Sequence, residues 1–288
     1  MYVYHNGKLL KSTELRITPY NRALLYGDAL LESMRWHRGR LLFIKAHIAR
    51  LNQGIKALQL TQPEWLERSK KDGLSPEDFL NQIALQLVTT NKISEDARIR
   101  LQLYRADGGL YQPQQDEAEL LIESSALPAD QYLLNTDGLI ISIYRDATKV
   151  YSIYSPYKCG NMLLYVLAAN HARLNRFDDI LITNPSGKLL EGSSSNLFIR
   201  KGNRVFHPPV SDGCTDGIMR SIIPKLCKKI GYESIEKSIS EKFLFTADEV
   251  FLTNAVRGIR WVKKIGKCTY QCEVAPRLIN ELNAITTT

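Results

Sequence analysis

The 288-residue chain has no long apolar run. The longest, Met162 to Ala169, is eight residues, against the roughly 20 that a membrane helix needs, so no spanning helix is expected. The opening residues, Met1-Tyr2-Val3-Tyr4-His5, lack a basic-then-apolar order, so no signal peptide is expected and the cytoplasm is the default location. Cysteine is scarce: five copies, Cys159, Cys214, Cys227, Cys268 and Cys272, an odd number that argues against a disulfide framework. No second Cys or His pair closely follows Cys268 and Cys272, so no zinc site is expected. A phosphate loop and a dinucleotide fingerprint are both missing. The five histidines are dispersed and form no Ser/His/Asp spacing. The net charge of +8 comes from scattered pairs such as Lys70-Lys71, Lys228-Lys229 and Lys263-Lys264. Nucleic-acid binding leaves a clustered stripe instead, so no nucleic-acid partner is expected. A mild positive excess does suit an enzyme that handles phosphate and carboxylate groups.

What is present is ordinary globular composition, 44% hydrophobic and 24% charged. The length fits one large domain or two moderate ones. Asn6-Gly7 between Tyr2–Tyr4 and Lys8–Leu10 signals a hairpin, and Arg38-Gly39 ahead of a strand at Arg40–Ile44 repeats it. Ile48, Leu51, Ile55 and Leu58 give Ala46–Leu58 one apolar helical face. Ser75-Pro76-Glu77-Asp78 starts a helix that runs to Thr89. Ala97–Tyr104 alternates as a strand, and Ala118–Glu123 is another. Residues 124–132 lose periodicity and read as a linker between a smaller N-terminal α/β domain, 1–123, and a larger C-terminal α/β domain, 133–288. In the second domain, strand Leu139–Tyr144 precedes a helix at Met162–Leu174, apolar on most sides and expected to be buried. Strands at Ile180–Ile182 and Leu189-Leu190 flank the turn Asn184–Gly187, and a hairpin turns at Lys201-Gly202-Asn203. A helix from Asp216 to Ile230 has Thr215 as its expected N-cap and Pro224 as an expected kink. Val250–Thr253 and Ile259–Val262 are late strands, and Thr286–Thr288 reads as a frayed end. Strands and helices mix in both halves, so the class is α/β or α+β with two domains.

Three local features carry chemistry in combination. Lys158, in Tyr157-Lys158-Cys159-Gly160-Asn161, precedes the apolar helix, and desolvation there disfavours the charged amine. An unprotonated amine is what capture of an aldehyde needs. Glu191-Gly192-Ser193-Ser194-Ser195-Asn196 sets one carboxylate beside hydroxyls, an arrangement that can face a heteroaromatic nitrogen. Thr215–Arg220 opens a helix at a glycine, where free backbone N–H groups attract anions. Singly these are a surface lysine, a loop and a helix end. Together they suit pyridoxal 5'-phosphate, which needs a lysine, an acid at the ring nitrogen and a phosphate cradle.

At this point the chain resembles the class IV aminotransferases, the fold-type IV pyridoxal-phosphate enzymes with a D-amino acid aminotransferase-like fold. The resemblance runs from about Tyr20 to Ile265 over six ordered motifs: Tyr26-Gly27-Asp28 with Glu32 and Arg35; His47–Leu51; Lys158 with Asn161; Glu191–Phe198; Gly217–Arg220; and Ala247–Phe251. It implies that Lys158, in the larger domain, captures the cofactor and shuttles the substrate proton, and that Glu191 pairs with the pyridine nitrogen. It implies a phosphate site of Arg50, the N–H groups of Ile218 and Met219, and the loop at Asn254-Ala255, with Ser194 and Ser195 also at the cofactor. Many relatives carry a threonine hydroxyl where Ala255 stands. Tyr26, Arg100 and Arg105 are candidates for the substrate carboxylate; the two arginines, five apart on one strand, point to opposite faces.

The branch is mixed. Leu31-Glu32 and Arg35 resemble branched-chain amino acid aminotransferase. The Lys158–Asn161 spacing resembles both D-amino acid aminotransferase and 4-amino-4-deoxychorismate lyase, Glu191–Asn196 resembles D-amino acid aminotransferase, and Asn254-Ala255 resembles the lyase. Met162 stands where the branched-chain pattern usually has tyrosine. The first expectation is amino transfer between an amino acid, branched-chain foremost, and a 2-oxo acid. The second is release of pyruvate from aminodeoxychorismate to give 4-aminobenzoate, and a silent binder on the same fold is the third. The resemblance also implies a homodimer.

Overall fold

The computed structural model describes residues 1–63, 73–128 and 131–287. Lys70-Lys71, Ala129 and Asp130 of the expected linker, and Thr288 lie outside them. Contacts divide the chain into two compact units, Met1–Gln131 with Tyr157–Asn161, and Tyr132–Pro156 with Met162–Thr288. Each is a mixture of strands and helices.

The first unit is a six-stranded antiparallel sheet, β1 (Tyr2–His5), β2 (Lys8–Lys11), β3 (Ala29–His37), β4 (Arg40–Leu41), β5 (Ala97–Arg105) and β6 (Ala118–Ala126), in the order β2-β1-β6-β5-β3-β4. Asn6 and Gly7 both take positive φ, 44° and 88°, so the predicted hairpin closes with a two-residue turn. Arg38-Gly39 does the same, but the strand it starts is two residues long, because Ile44 already opens helix α2 (Ile44–Ala57) after the short helix α1 (Arg22–Tyr26). Helix α3 (Pro76–Thr90) starts as expected, with the Ser75 hydroxyl accepting the Asp78 N–H at 3.1 Å. Leu30, Met34, Ile99, Leu101, Leu103 and Ile122 of the sheet pack with Ile48, Leu51 and Ile55 of α2 and with α3. Strand β6 continues through Ser124–Ala126, paired to Ala97–Ile99, so the linker cannot begin at residue 124. Ser124 is buried and takes a hydrogen bond from Asn91 Nδ2.

The lysine-bearing segment belongs by its contacts to this unit, which differs from the expected division at 133. Leu31 N–H donates to the Lys158 carbonyl at 2.7 Å, Gly160 N–H donates to the Ala29 carbonyl at 2.6 Å, and Leu30 bridges Cys159. The pairing fills the edge of β3 at Ala29–Leu31, since β4 covers only Trp36-His37. An unpaired edge there would leave backbone groups unsatisfied.

The second unit contains β7 (Leu139–Ile143), β8 (Asp179–Thr183), β9 (Lys188–Gly192), β10 (Asn196–Lys201), β11 (Arg204–His207), β12 (Glu233–Glu236), β13 (Ile239–Ser240), β14 (Glu249–Asn254), β15 (Gly258–Ile265) and β16 (Cys268–Thr269). The path β10-β14-β15-β7-β8-β9 returns on itself through the pair Asn196–Glu191, so these six strands close into a ring. Its inward positions are filled by Ile141, Leu181, Leu189, Leu197, Val250 and Leu252, while Ile180 and Ile182 pack the opposite face with helix α4 (Leu163–Leu174).

Helix α4 is not buried as expected. Its sheet-side stripe is the small pair Ala168 and Ala172, while Leu163, Val166, Leu167 and Leu174 are 47–65% exposed. Helix α5 (Ile218–Lys229) continues through Pro224 and is preceded by Gly217, not Thr215, as N-cap. Thr215 is drawn away because its N–H donates to Glu191 Oε2. After the short α6 (Glu241–Leu244), the expected frayed end is instead helix α7 (Val274–Thr287), capped by the fully buried Glu249 carboxylate. That carboxylate accepts the N–H groups of Glu273, Val274 and Ala275 at 2.8–3.0 Å. No helix of the described residues is long and apolar enough to cross a membrane.

Candidate active site

Strand alternation places Leu31, Ser33 and Arg35 on one face of β3 and Leu30, Glu32 and Met34 on the other. Directly paired residues share a face, so Arg100, opposite Ser33, and Arg98, opposite Arg35, join the first set. Lys158 lies on this side: its Nζ donates to Ser33 Oγ at 3.2 Å. Desolvation lowers the amine to about 8; Glu32 opposes that shift, and Arg50, Arg98 and Arg100 add to it. Two glycines let the lysine segment come this close. A Cβ on Gly27 would sit 3.0 Å from Asn161 N, and one on Gly160 would sit 2.8 Å from the Gly27 carbonyl. Gly27 also ends α1 at φ 66°.

On the opposite face Glu32 collects donors from two side chains. His47 Nδ1 lies 2.6 Å from its Oε2, and Arg50 donates from Nε to Oε1 at 2.8 Å and from Nη2 to Oε2 at 2.6 Å. Burial alone would raise this carboxyl, but Arg50 and His47 prevail and hold it at about 2. Burial pushes His47 down. The spacing of three on α2 makes both side chains reach one carboxylate.

The structure separates the two candidate arginines as the count of five requires. Arg100 stands on the Lys158 side, ion-paired to Glu123 at 2.8 Å and 39% exposed. Arg105 is buried elsewhere, and each of its guanidinium nitrogens has a protein partner: Asp28 on Nε, Asp116 and the Gln59 carbonyl on Nη1, and the Leu58 carbonyl on Nη2. Tyr26 ends α1 and packs against the Tyr111 ring at 5.6 Å, with the Arg22 guanidinium 5.0 Å from its ring centre.

In the second unit, Glu191 is aimed by a bulge. Thr183 pairs with Leu189 but Ile182 pairs with Glu191, so Leu190 is the extra residue. Without it Glu191 would share the inward face of Leu189; with it, Glu191 faces the α4 side with Ile182. There it is buried and accepts from Tyr165 Oη at 2.6 Å, Lys149 Nζ at 2.8 Å and the Thr215 N–H at 3.0 Å. The Thr215 hydroxyl adds a longer contact of 3.3 Å.

Around the start of α5, Gly217 has no side-chain cap, so the N–H groups of Ile218 and Met219 belong to an uncapped helix end. A Cβ at Gly217 would overlap Asn196 Oδ1, and Asn196 Nδ2 donates to the Thr215 carbonyl at 3.0 Å. Ser194 is exposed, and its carbonyl takes Asn254 Nδ2 at 3.1 Å. Asn254 Oδ1 in turn accepts the N–H groups of Val256 and Arg257, and the Ala255 carbonyl accepts Tyr132 Oη at 2.7 Å, which fixes that loop. Ser195 is buried, with its hydroxyl toward Asp179 at 3.3 Å.

These donor sets fit pyridoxal phosphate. The chain has a half-buried amine lowered toward neutrality. It has a buried carboxylate whose Oε2 takes the Thr215 N–H, where a carboxylate oxygen has room for two donors. It has an uncapped helix start behind an obligatory glycine. The contacts of Ser33, Lys149, Tyr165 and Asp179 with candidate site residues, and of Glu32 with His47, were not legible in the sequence. Strand parity with Arg100 could have found Ser33. Lys149 is 42 positions from Glu191 and carries no local signal.

The model of the family Amino-transferase class IV matches residues 29–265. A putative branched-chain-amino-acid aminotransferase of Methanocaldococcus jannaschii is 30% identical over 90% of this chain and 86% of its own. Aminodeoxychorismate lyase of Bacillus subtilis is 27% identical over 93% and 88%. Among solved structures, the branched-chain aminotransferase of Thermoproteus uzoniensis with norvaline superposes with a TM-score of 0.86 at 22% identity, covering 99% of this chain and 94% of that one.

Proposed function

The chain belongs to the class IV aminotransferases, and from that premise we propose that it is a pyridoxal-phosphate aminotransferase moving an amino group from a branched-chain amino acid to a 2-oxo acid. The observation that carries the reading is Lys158, lowered to about 8 and held by Ser33 on the same sheet face as Arg100. Bound pyridoxal phosphate supplies an aldehyde for the amine and a ring that accepts the electron pair left when the substrate α-proton departs. Lys158 would take that proton at Nζ and, for amino transfer, deliver it to the cofactor rather than back to the substrate α-carbon. Glu191 would accept a hydrogen bond from the ring N–H and stabilise its positive charge. Arg50, its guanidinium plane fixed by Glu32, would be one phosphate ligand; the N–H groups of Ile218 and Met219 and the loop at Ala255 would be others. Ser194 and Ser195 shape the turn beside Glu191, and Ser195 does so through Asp179. Arg100 and Tyr26 orient the substrate carboxylate. Arg105, spent on Asp28 and Asp116, is a framework residue in this reading.

Two further readings belong with it. The apolar outer side of α4 supports a homodimer, because an exposed patch of leucine and valine is a usual sign of a protein interface. The lyase activity is the second chemical reading. Asn254-Ala255 and the likeness to the Bacillus subtilis lyase favour it. One cofactor-loaded preparation separates the two. It is offered L-leucine, L-glutamate and D-alanine, each with 2-oxoglutarate or pyruvate, and separately aminodeoxychorismate scored for 4-aminobenzoate. Transfer from L-leucine is expected. Release of 4-aminobenzoate with negligible transfer would replace the first reading by the second, and D-alanine as best donor would reverse the stereochemistry.

A further inference from the structure

Glu191 is gripped unevenly. Its Oε1 takes three donors, Tyr165 Oη at 2.6 Å, Lys149 Nζ at 2.8 Å and Thr215 Oγ1 at 3.3 Å, while Oε2 takes the Thr215 backbone N–H at 3.0 Å. The grip is built from distant pieces of the second unit. Lys149 is tied down by its own N–H to the Thr183 carbonyl at 2.9 Å, Tyr165 comes from α4, and Thr215 is held by Asn196. The Lys149 ammonium also lies 5.4 Å from the Tyr165 ring centre. Both members of the ion pair are shielded, at 13% and 4% side-chain exposure.

We propose that Lys149 and Tyr165 are positioning residues that fill Oε1 of Glu191, so that Oε2 is the oxygen offered to a ligand's ring N–H. A carboxylate free to rotate would offer either oxygen at a range of angles. One oxygen saturated by a fixed phenol and a fixed ammonium leaves one direction for the other. The inference rests on the pyridoxal-phosphate reading above.

The titratable groups facing Glu191 are Lys149, Tyr165 and, through the chain at Thr215, Cys214. Burial and then the Glu191 charge push the Tyr165 phenol up, and the same two causes push the Cys214 thiol up to about 12. Both stay neutral near pH 7, so Lys149 is the cation that pairs with Glu191. Removing it takes the charged donor from Oε1, so the carboxylate is held less firmly and Oε2 loses its single direction.

The test uses the full chain loaded with pyridoxal phosphate, as wild type, Lys149→Met, Lys149→Arg and Tyr165→Phe. Visible absorbance and cofactor retained after dialysis are compared at one neutral pH. Lys149→Met is expected to weaken cofactor retention roughly tenfold or more, and Lys149→Arg to return it close to wild type. Tyr165→Phe, which keeps the ring and removes one neutral donor, is expected to weaken retention less, roughly threefold. Retention and absorbance of both Lys149→Met and Tyr165→Phe that match wild type would overturn the positioning role, as would failure of arginine to rescue. A wild type that takes up no pyridoxal phosphate would overturn the proposed function, and this role with it.

Discussion

The lowered amine of Lys158 makes a prediction about rate against pH. An ordinary lysine at 10.5 has about three amines in ten thousand free at pH 7; one at about 8 has about one in ten free, roughly a 300-fold gain in the nucleophilic form. The rate at which cofactor-free protein captures pyridoxal phosphate is expected to rise tenfold per pH unit below 8 and to level off above it. Stopped-flow absorbance at fixed ionic strength measures this directly. The sign of a second perturbation is also determined. Glu32 raises the amine, so Glu32→Gln is expected to move the break below 8, even as it frees Arg50 and His47 from their shared partner. Stability carries the same signature. Because the folded amine is lowered, the unfolded chain binds more protons between about 8 and 10.5, and stability rises with pH across that window. A capture rate that climbs without a break past about pH 9.5 would refute the argument, as would a break moved upward by Glu32→Gln.

Three other outcomes follow from particular contacts. Glu249→Gln weakens the buried cap on α7 and is expected to cost about 2–4 kcal/mol in denaturant unfolding with kcat little changed; an unaltered midpoint would refute the capping account. Arg105→Met removes a partner of Asp28 and is expected to cost about 3 kcal/mol, whereas the exposed Arg100–Glu123 pair is worth at most about 1 kcal/mol. Arg100→Met should therefore raise KM while leaving unfolding near wild type, and steady-state kinetics beside urea melts would expose a reversal. Gly217→Ala forces Asn196 away from the α5 start and is expected to weaken cofactor retention roughly tenfold, read by equilibrium dialysis; retention equal to wild type would refute the close-packing argument.

Sequence alone determined what depends on neighbours in the chain. The turn at Asn6-Gly7, the Ser75 cap, the alternation of β5 and the hairpin at Gly202-Asn203 are set by backbone preference and side-chain period within a few residues. Parity on β5 was enough to say that Arg100 and Arg105 part company. The motif order was enough to point to the family, since Lys158, Glu191 and Gly217 keep their spacing whatever surrounds them. Only the tertiary structure decided the rest. The free edge of β3 takes Lys158 into the first unit, because unpaired backbone groups must find partners and no local pattern says which. The bulge at Leu190 inverts the face of Glu191, and its signal is a register between two strands. Helix α4 turns alanines inward and leucines outward because the sheet below admits close approach, so composition suggested a burial that packing did not follow. Lys149 and Tyr165 reach Glu191 for the same reason: a carboxylate taken out of water gathers donors from wherever the fold supplies them, and distance along the chain does not enter that balance.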